Sequence, residues 1–99
     1  MTREEYETLL DKEGVTIIKF YADWCQPCKL LAPALNESCN RHGIELISLN
    51  VDDEDNVGIA KLFDVRSVPF TIRLEDGRVD GTMQGAMGEQ YVDNFVKGS

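Results

Sequence analysis

Cysteine, histidine and cationic residues are all scarce in this chain of 99 residues, and each scarcity excludes something. Three cysteines, unevenly spaced, are too few for the disulfide framework that staples small secreted domains; a cysteine pair in such a chain points instead to catalysis, redox sensing or metal binding. Ten basic residues against eighteen acidic ones leave a net charge of −8, which repels phosphate backbones and anionic lipid surfaces, so no nucleic acid and no membrane surface is expected as a direct ligand. The acidity itself reads as a solubility device, with steering toward basic partner surfaces as the alternative. No run approaches the roughly 18 apolar residues of a membrane span, and Met1-Thr2-Arg3-Glu4-Glu5-Tyr6 lacks the apolar core of a signal peptide, so a cytoplasmic protein is expected. Repeats, low-complexity tracts and linkers are missing too. Residues 1–99 are therefore expected to form one domain around one core, with no room for a separate cofactor domain.

What is present is an alternation of patterns. Thr2-Arg3-Glu4-Glu5 has the form of a capping box, and the helix it opens is expected to run through Leu9 and Leu10 to about Glu13, with Gly14 ending it. Val15 to Ala22 is β-branched and aromatic with apolar residues at consecutive positions, as in a central parallel strand covered on both faces. From Cys25 to about His42, Cys28, Leu31, Ala32, Leu35 and Cys39 recur at helical spacing and form one face. Pro33 is expected to kink that helix and Gly43 to end it. Ile44 to Val51 is a second strand, which makes a right-handed βαβ unit. A short helix over Asp55 to Phe63, weakened by Gly58, comes next. Phe70 to Leu74 and Val79 to Gln84 flank Glu75-Asp76-Gly77-Arg78, a strong hairpin signal. The last helix, Gly88 to Lys97, carries Tyr91, Val92, Phe95 and Val96 on its apolar side. The order α-β-α-β-α-β-β-α describes an α/β fold with a four-stranded mixed sheet, βαβ plus ββα, and helices on both faces.

The chemistry concentrates in Trp24-Cys25-Gln26-Pro27-Cys28-Lys29. A Cys-x-x-Cys pair where a strand gives way to a helix puts the first thiol among the unpaired amides and the positive end of the helix dipole, which lowers its pKa below the free value of about 8.5. Cys25 is then the nucleophile. Cys28, one turn along, is placed to resolve the mixed disulfide that Cys25 forms. Pro27 suits a first helical turn, where its missing amide costs nothing.

These residues resemble the thioredoxin family, as do Ala32-Pro33, Val65-Arg66-Ser67-Val68-Pro69 and Gly85-Ala86, in order and at family-like spacing over nearly the whole chain from Val15. The resemblance implies a thioredoxin-like fold, although without the edge strand that usually precedes the family's first helix. It implies a protein-disulfide reductase that is a monomer, binds no cofactor beyond its own redox-active Cys25–Cys28 disulfide, and is recharged by an NADPH-dependent, flavin-containing thioredoxin reductase. By the same resemblance Trp24, Pro27, Val68, Pro69 and Gly85 contact substrate, Pro69 follows a cis bond, and the backbone of Val68 receives an extended substrate segment. Two positions depart from the family. Gln26 stands where glycine is common, which bears on the redox potential, and Lys19 stands where a buried aspartate is usual, so that carboxylate's proton-transfer role cannot be carried over.

Other readings compete at several residues. Cys25-x2-Cys28-x10-Cys39-x2-His42 formally offers four zinc ligands. On one helix, however, Cys39 lies about 16 Å along the axis from Cys28, beyond the reach of one ion, so no metal is expected. Cys39 alone reads as a small buried apolar residue, and His42 as a surface residue at a helix end. Trp24 is either core or a flat contact surface beside the nucleophile. Asp52-Asp53-Glu54-Asp55 lacks the pattern of a calcium loop and reads as a solvated helix start. Lys19 either carries its ammonium to water at an edge or holds it near the thiols, where it modulates their pKa values. A binding scaffold with incidental thiols, and a disulfide oxidase or isomerase, are the alternative functions.

Overall fold

The structure is a computed structural model that describes residues 1–98. Thr2 caps the first helix, α1 (Arg3–Glu7): its hydroxyl accepts from the Glu5 amide at 3.2 Å, and the Glu5 carboxylate accepts from the Thr2 amide at 2.9 Å. The helix does not continue to Glu13. It tightens into a 3-10 turn over Thr8–Asp11, where the Thr8 hydroxyl donates back to the Glu5 carbonyl at 2.6 Å. Such back-bonding competes with regular helix.

The sheet has the order β2-β1-β3-β4, from β1 (Val15–Tyr21), β2 (Glu45–Asn50), β3 (Phe70–Glu75) and β4 (Arg78–Gln84). β1 and β2 are parallel, and the other two pairings are antiparallel. Central β1 buries Thr16 through Phe20 without a break, because helices cover both of its faces. Ile18 and Phe20 enter a cluster with Tyr6 and Ile59, on the side of α1 and α3 (Val57–Leu62). Ile17 enters the other cluster, with Leu31, Leu35 and Cys39 of α2 (Gln26–His42) and Val92 and Val96 of α4 (Glu89–Lys97). The alternation of β1 thus sends Lys19 to the α2 side.

Helix α2 passes through Pro33 as one element and ends at Gly43, whose φ of 65° makes a left-handed cap. A 3-10 turn over Glu54–Asn56 precedes α3, so the helical segment expected over Asp55 to Phe63 is divided. The hairpin closes through two residues, Asp76 (φ 52°) and Gly77 (φ 80°), both in the left-handed region that a tight two-residue turn requires. On α4 the expected apolar side loses Tyr91, which is 53% exposed. Val92 and Val96, four apart, form the buried ridge, and Tyr91 falls off its flank. No helix among the described residues is long and apolar enough to cross a membrane.

Candidate active site

After β1 the chain turns through residues 22–24 and enters α2 with Cys25 as its N-cap, in extended conformation (φ −88°, ψ 105°). Amides of a first helical turn have no intrahelical acceptor. Here Cys25 Sγ accepts from the Cys28 amide at 3.2 Å, in the role that a serine or aspartate oxygen fills at other helix starts. Pro27 lies in the same turn, where no amide is needed. One turn brings the Cα atoms of Cys25 and Cys28 to 5.3 Å, and the two sulfurs are joined as a disulfide.

The pair is nearly covered: Cys25 is 3% exposed and Cys28 4%. They cluster with Ala22, and Tyr21, Val51 and Val68 pack around them. A partner's sulfur must therefore be presented in a docked contact. The Val68–Pro69 bond is cis, and the Val68 carbonyl oxygen lies 3.5 Å from Cys25 Sγ. Hydrogen bonds from the end of β4 hold this loop, among them one from Gln84 Nε2 to the Ser67 carbonyl at 3.4 Å. The Gly85 amide donates to the Pro69 carbonyl at 2.9 Å, and Gln84 Nε2 donates to the same oxygen at 3.1 Å. Gln84 is a positioning residue that nothing in the local sequence pattern signals.

Trp24 is not core. It is 70% exposed, and its Nε1–H donates to Asp52 Oδ2 at 2.9 Å. Asp53 behaves as a solvated helix-start residue should, accepting from the Asp55 amide at 3.0 Å, but Asp52 is drawn out of that cluster to the indole. The contact is invisible in sequence because parallel pairing creates it: the Val51 amide donates to the Tyr21 carbonyl at 2.9 Å, bringing the end of β2 beside the end of β1. Between Trp24 and Val68 an apolar groove of about 380 Å³ opens, lined in part by Val51, Val57, Ala60 and Val65.

The remaining candidates separate. Cys39 is buried at the far end of α2, its thiol pushed up to about 11 by burial against the opposing influence of the Lys19 charge. His42 Nε2 lies 2.8 Å from Asp93 Oδ1, which also accepts from Ser38 Oγ at 2.8 Å and from Arg41 at 2.6 Å. That arrangement clamps α2 to α4. It leaves the four formal zinc ligands dispersed along the helix. Lys19 is buried and lines a cleft together with Cys28, and burial lowers its pKa, with the Cys39 thiol acting in the opposite sense.

Comparison with known proteins agrees with this geometry. The thioredoxin family model matches residues 1–98. A thioredoxin of Haemophilus influenzae is 32% identical over 95 residues, spanning 93% of this chain and 87% of that protein. A thioredoxin of Bacillus subtilis is 34% identical over 84 residues, spanning 85% and 81%. Among solved structures, oxidised mitochondrial thioredoxin 3 of Saccharomyces cerevisiae superposes with a TM-score of 0.86 at 26% identity, covering 99% of this chain and 91% of that one. A disulfide seated at a helix start, in a sheet of this order, with likeness along the whole chain, has one consistent meaning: the chain belongs to the thioredoxin family and is a protein thiol–disulfide oxidoreductase acting through Cys25 and Cys28.

Proposed function

We propose that the protein works in the reductive direction, with Cys25 as nucleophile and Cys28 as resolving thiol. The observation that carries this assignment is the hydrogen bond from the Cys28 amide to Cys25 Sγ at 3.2 Å. In the dithiol, that amide and the start of a 17-residue helix favour charge on Cys25, so it is the sulfur favoured to act as thiolate.

The Cys25 thiolate attacks one sulfur of a substrate disulfide, the substrate S–S bond breaks, and the leaving sulfur departs as thiolate. The mixed disulfide then joins Cys25 to the substrate. Cys28, deprotonated, attacks Cys25 Sγ; the substrate's second sulfur leaves, and the Cys25–Cys28 bond forms. Two electrons have passed to the substrate, which becomes a dithiol. The open backbone of Val68 beside Cys25 supports docking of an extended substrate segment, with Trp24, Pro27, Pro69 and Gly85 as its surroundings. Backbone pairing is indifferent to side chains, so varied protein disulfides are accepted.

The family likeness further supports recharging by an NADPH-dependent thioredoxin reductase, work as a monomeric single domain over 1–99, and residence in the cytoplasm, where a dithiol is kept reduced. The test is reduction of insulin disulfides with dithiothreitol as electron source. The wild type should accelerate it, Cys25→Ser should abolish the acceleration, and Cys28→Ser should trap the mixed disulfide. A wild type without acceleration would overturn the proposal.

A further inference from the structure

On the sheet face that carries α2, two neighbouring polar residues are buried, and neither side chain has a hydrogen-bond or ionic partner among the described residues. Lys19 is 7% exposed, and among the described residues its ammonium has no carboxylate within 4.0 Å. Opposite it in the β1–β3 register stands Thr71, whose buried hydroxyl has no hydrogen-bond partner. Burying a charged residue is costly, so a lysine held this deep, with its side chain lining a cleft, needs an explanation.

The direction of the lysine side chain supplies one. Its Nζ lies 5.5 Å from the ring centroid of Tyr21, two residues nearer the active-site end of β1. There Lys19, Tyr21, Asp23, Cys28 and Lys29 line a cleft of about 400 Å³. The charged and titratable groups that face it can be taken in turn. Asp23 and Lys29 are exposed, of opposite sign, and screened by solvent. Cys39 of α2 has its thiol pushed up to about 11, so it is neutral at physiological pH and is no counter-ion. Tyr21 offers a ring face. The register neighbours Ser48 on β2 and Thr71 on β3 do not titrate. The Cys25–Cys28 pair is left, with Cys28 on the wall of the cleft, and as a disulfide it carries no charge.

Reduction changes that. Two electrons from a donor dithiol break the Cys25–Cys28 bond and the donor becomes a disulfide; of its two protons one enters the pair, which becomes a thiol and a thiolate, and the other is released to solvent. The cleft of the ammonium then has Cys28 on its wall, and Cys28's former disulfide partner, Cys25, carries the new negative charge. A cation that is uncompensated in one state and compensated in the other favours the second by that difference. We propose that Lys19 is the built-in counter-charge of the reduced Cys25–Cys28 pair and biases its redox equilibrium toward the dithiol. The inference deepens the reading above and rests on the pair being redox-active.

Removing the charge has two linked consequences of fixed sign. The thiolate loses its partner, so the first macroscopic ionisation of the dithiol rises, and the disulfide becomes relatively more stable. Lys19→Met should be a stronger reductant at equilibrium and a slower nucleophile at neutral pH. A merely structural lysine would change thermal stability and leave both quantities alone.

The experiment equilibrates the wild type, Lys19→Met, Lys19→Gln and Lys19→Arg with glutathione redox buffers, counting reduced protein by mass after alkylation. The pH dependence of iodoacetamide alkylation of each reduced protein is measured in parallel. Thermal unfolding selects the variants that fold, and Lys19→Gln is read in place of Lys19→Met if the latter does not. The neutral variant should shift the equilibrium constant about tenfold toward the disulfide, about 30 mV for a two-electron couple, and raise the alkylation midpoint by about one pH unit. Lys19→Arg should stay near the wild type. Unchanged equilibrium constants and superimposable profiles in the neutral variants, with a wild type that still reduces insulin, would overturn the counter-charge and leave the reductase reading standing. A wild type that cannot cycle between disulfide and dithiol would overturn both.

Discussion

The indole of Trp24 and the carboxylate of Asp52, 28 residues apart, meet in a 2.9 Å hydrogen bond across the rim of the Cys25–Cys28 disulfide. It fixes the orientation of the most exposed aromatic surface in the molecule at the place where a partner must dock. A hydrogen bond of this kind contributes about 0.5–1.5 kcal/mol, a factor of roughly 2 to 10 in an equilibrium constant. Asp52→Ala should therefore raise KM for a protein disulfide a few-fold with little loss of stability, and should shift the emission of Trp24, the only tryptophan. Steady-state insulin reduction and fluorescence check this; identical values for variant and wild type would mean that the rim is set by other contacts.

Two glycines with the same φ of 80° separate backbone strain from steric fit. A Cβ at Gly77 would collide with the backbone of Leu10, whereas a Cβ at Gly85 would meet nothing within 4 Å. Left-handed backbone alone costs a substituted residue about 1–2 kcal/mol. Gly85→Ala should lose about that much, and Gly77→Ala clearly more, because the segment at Leu10 must move as well. Urea unfolding of the two variants measures the difference; equal losses would show that the Leu10 segment yields freely.

The features legible in the sequence are those whose cause is local. The unbroken apolar run of β1 announces a strand covered on both sides, the Asp76-Gly77 pair announces its hairpin, and Cys25 and Cys28 declare themselves because one helical turn brings them together. Val68 and Pro69 were accessible only through family likeness: Val68 is 43 residues from Cys25, and no periodicity connects them. Arg73 shows the same limit in the core. It sits between Ile72 and Leu74 of β3, yet it is buried, its Nε donating to the Val96 carbonyl at 3.0 Å while its guanidinium pairs with Glu75 and Asp80. Four partners, Val96 and Lys97 of α4, Asp80 of β4 and Glu75 of its own strand, make that burial tolerable, and none can be read from Phe70 to Leu74 alone. Tyr91 erred in the other direction, since an apolar side drawn on a helix does not say where the neighbouring sheet ends.

The seam between α2 and α4 should be sensitive to acid. Hydrogen bonds from Ser38 and His42 come first among the causes that hold the Asp93 carboxyl below its ordinary range, with the charges of His42 and Arg41 adding to them. The unfolded chain therefore takes up this proton more readily than the folded one, so the contribution is full above the ordinary value of 3.8 and is lost as pH falls through the lower folded value. Asp93→Asn should be less stable than the wild type at about pH 6, and the gap should narrow toward about pH 2. Urea midpoints across that range test it. A gap independent of pH would assign the seam to packing between Leu31, Leu35, Val92 and Val96 instead.

Cys39 is the one thiol outside the redox pair, and its reactivity follows from its surroundings. Burial among Ile17, Leu35 and Val96 pushes its pKa up to about 11, and the thiolate is the reactive form. At about pH 8 roughly one molecule in a thousand would carry that thiolate, and the sulfur is also covered by the core. The oxidised protein, in which Cys25 and Cys28 are bonded to each other, should therefore give almost no reaction with Ellman's reagent in native buffer and one equivalent in guanidinium. Cys39→Ala should leave insulin reduction unchanged while removing about 1 kcal/mol of stability, the order expected for a small buried side chain. Fast labelling of the native oxidised protein would show that this part of α2 opens readily, and would make Cys39 an accessible thiol in its own right.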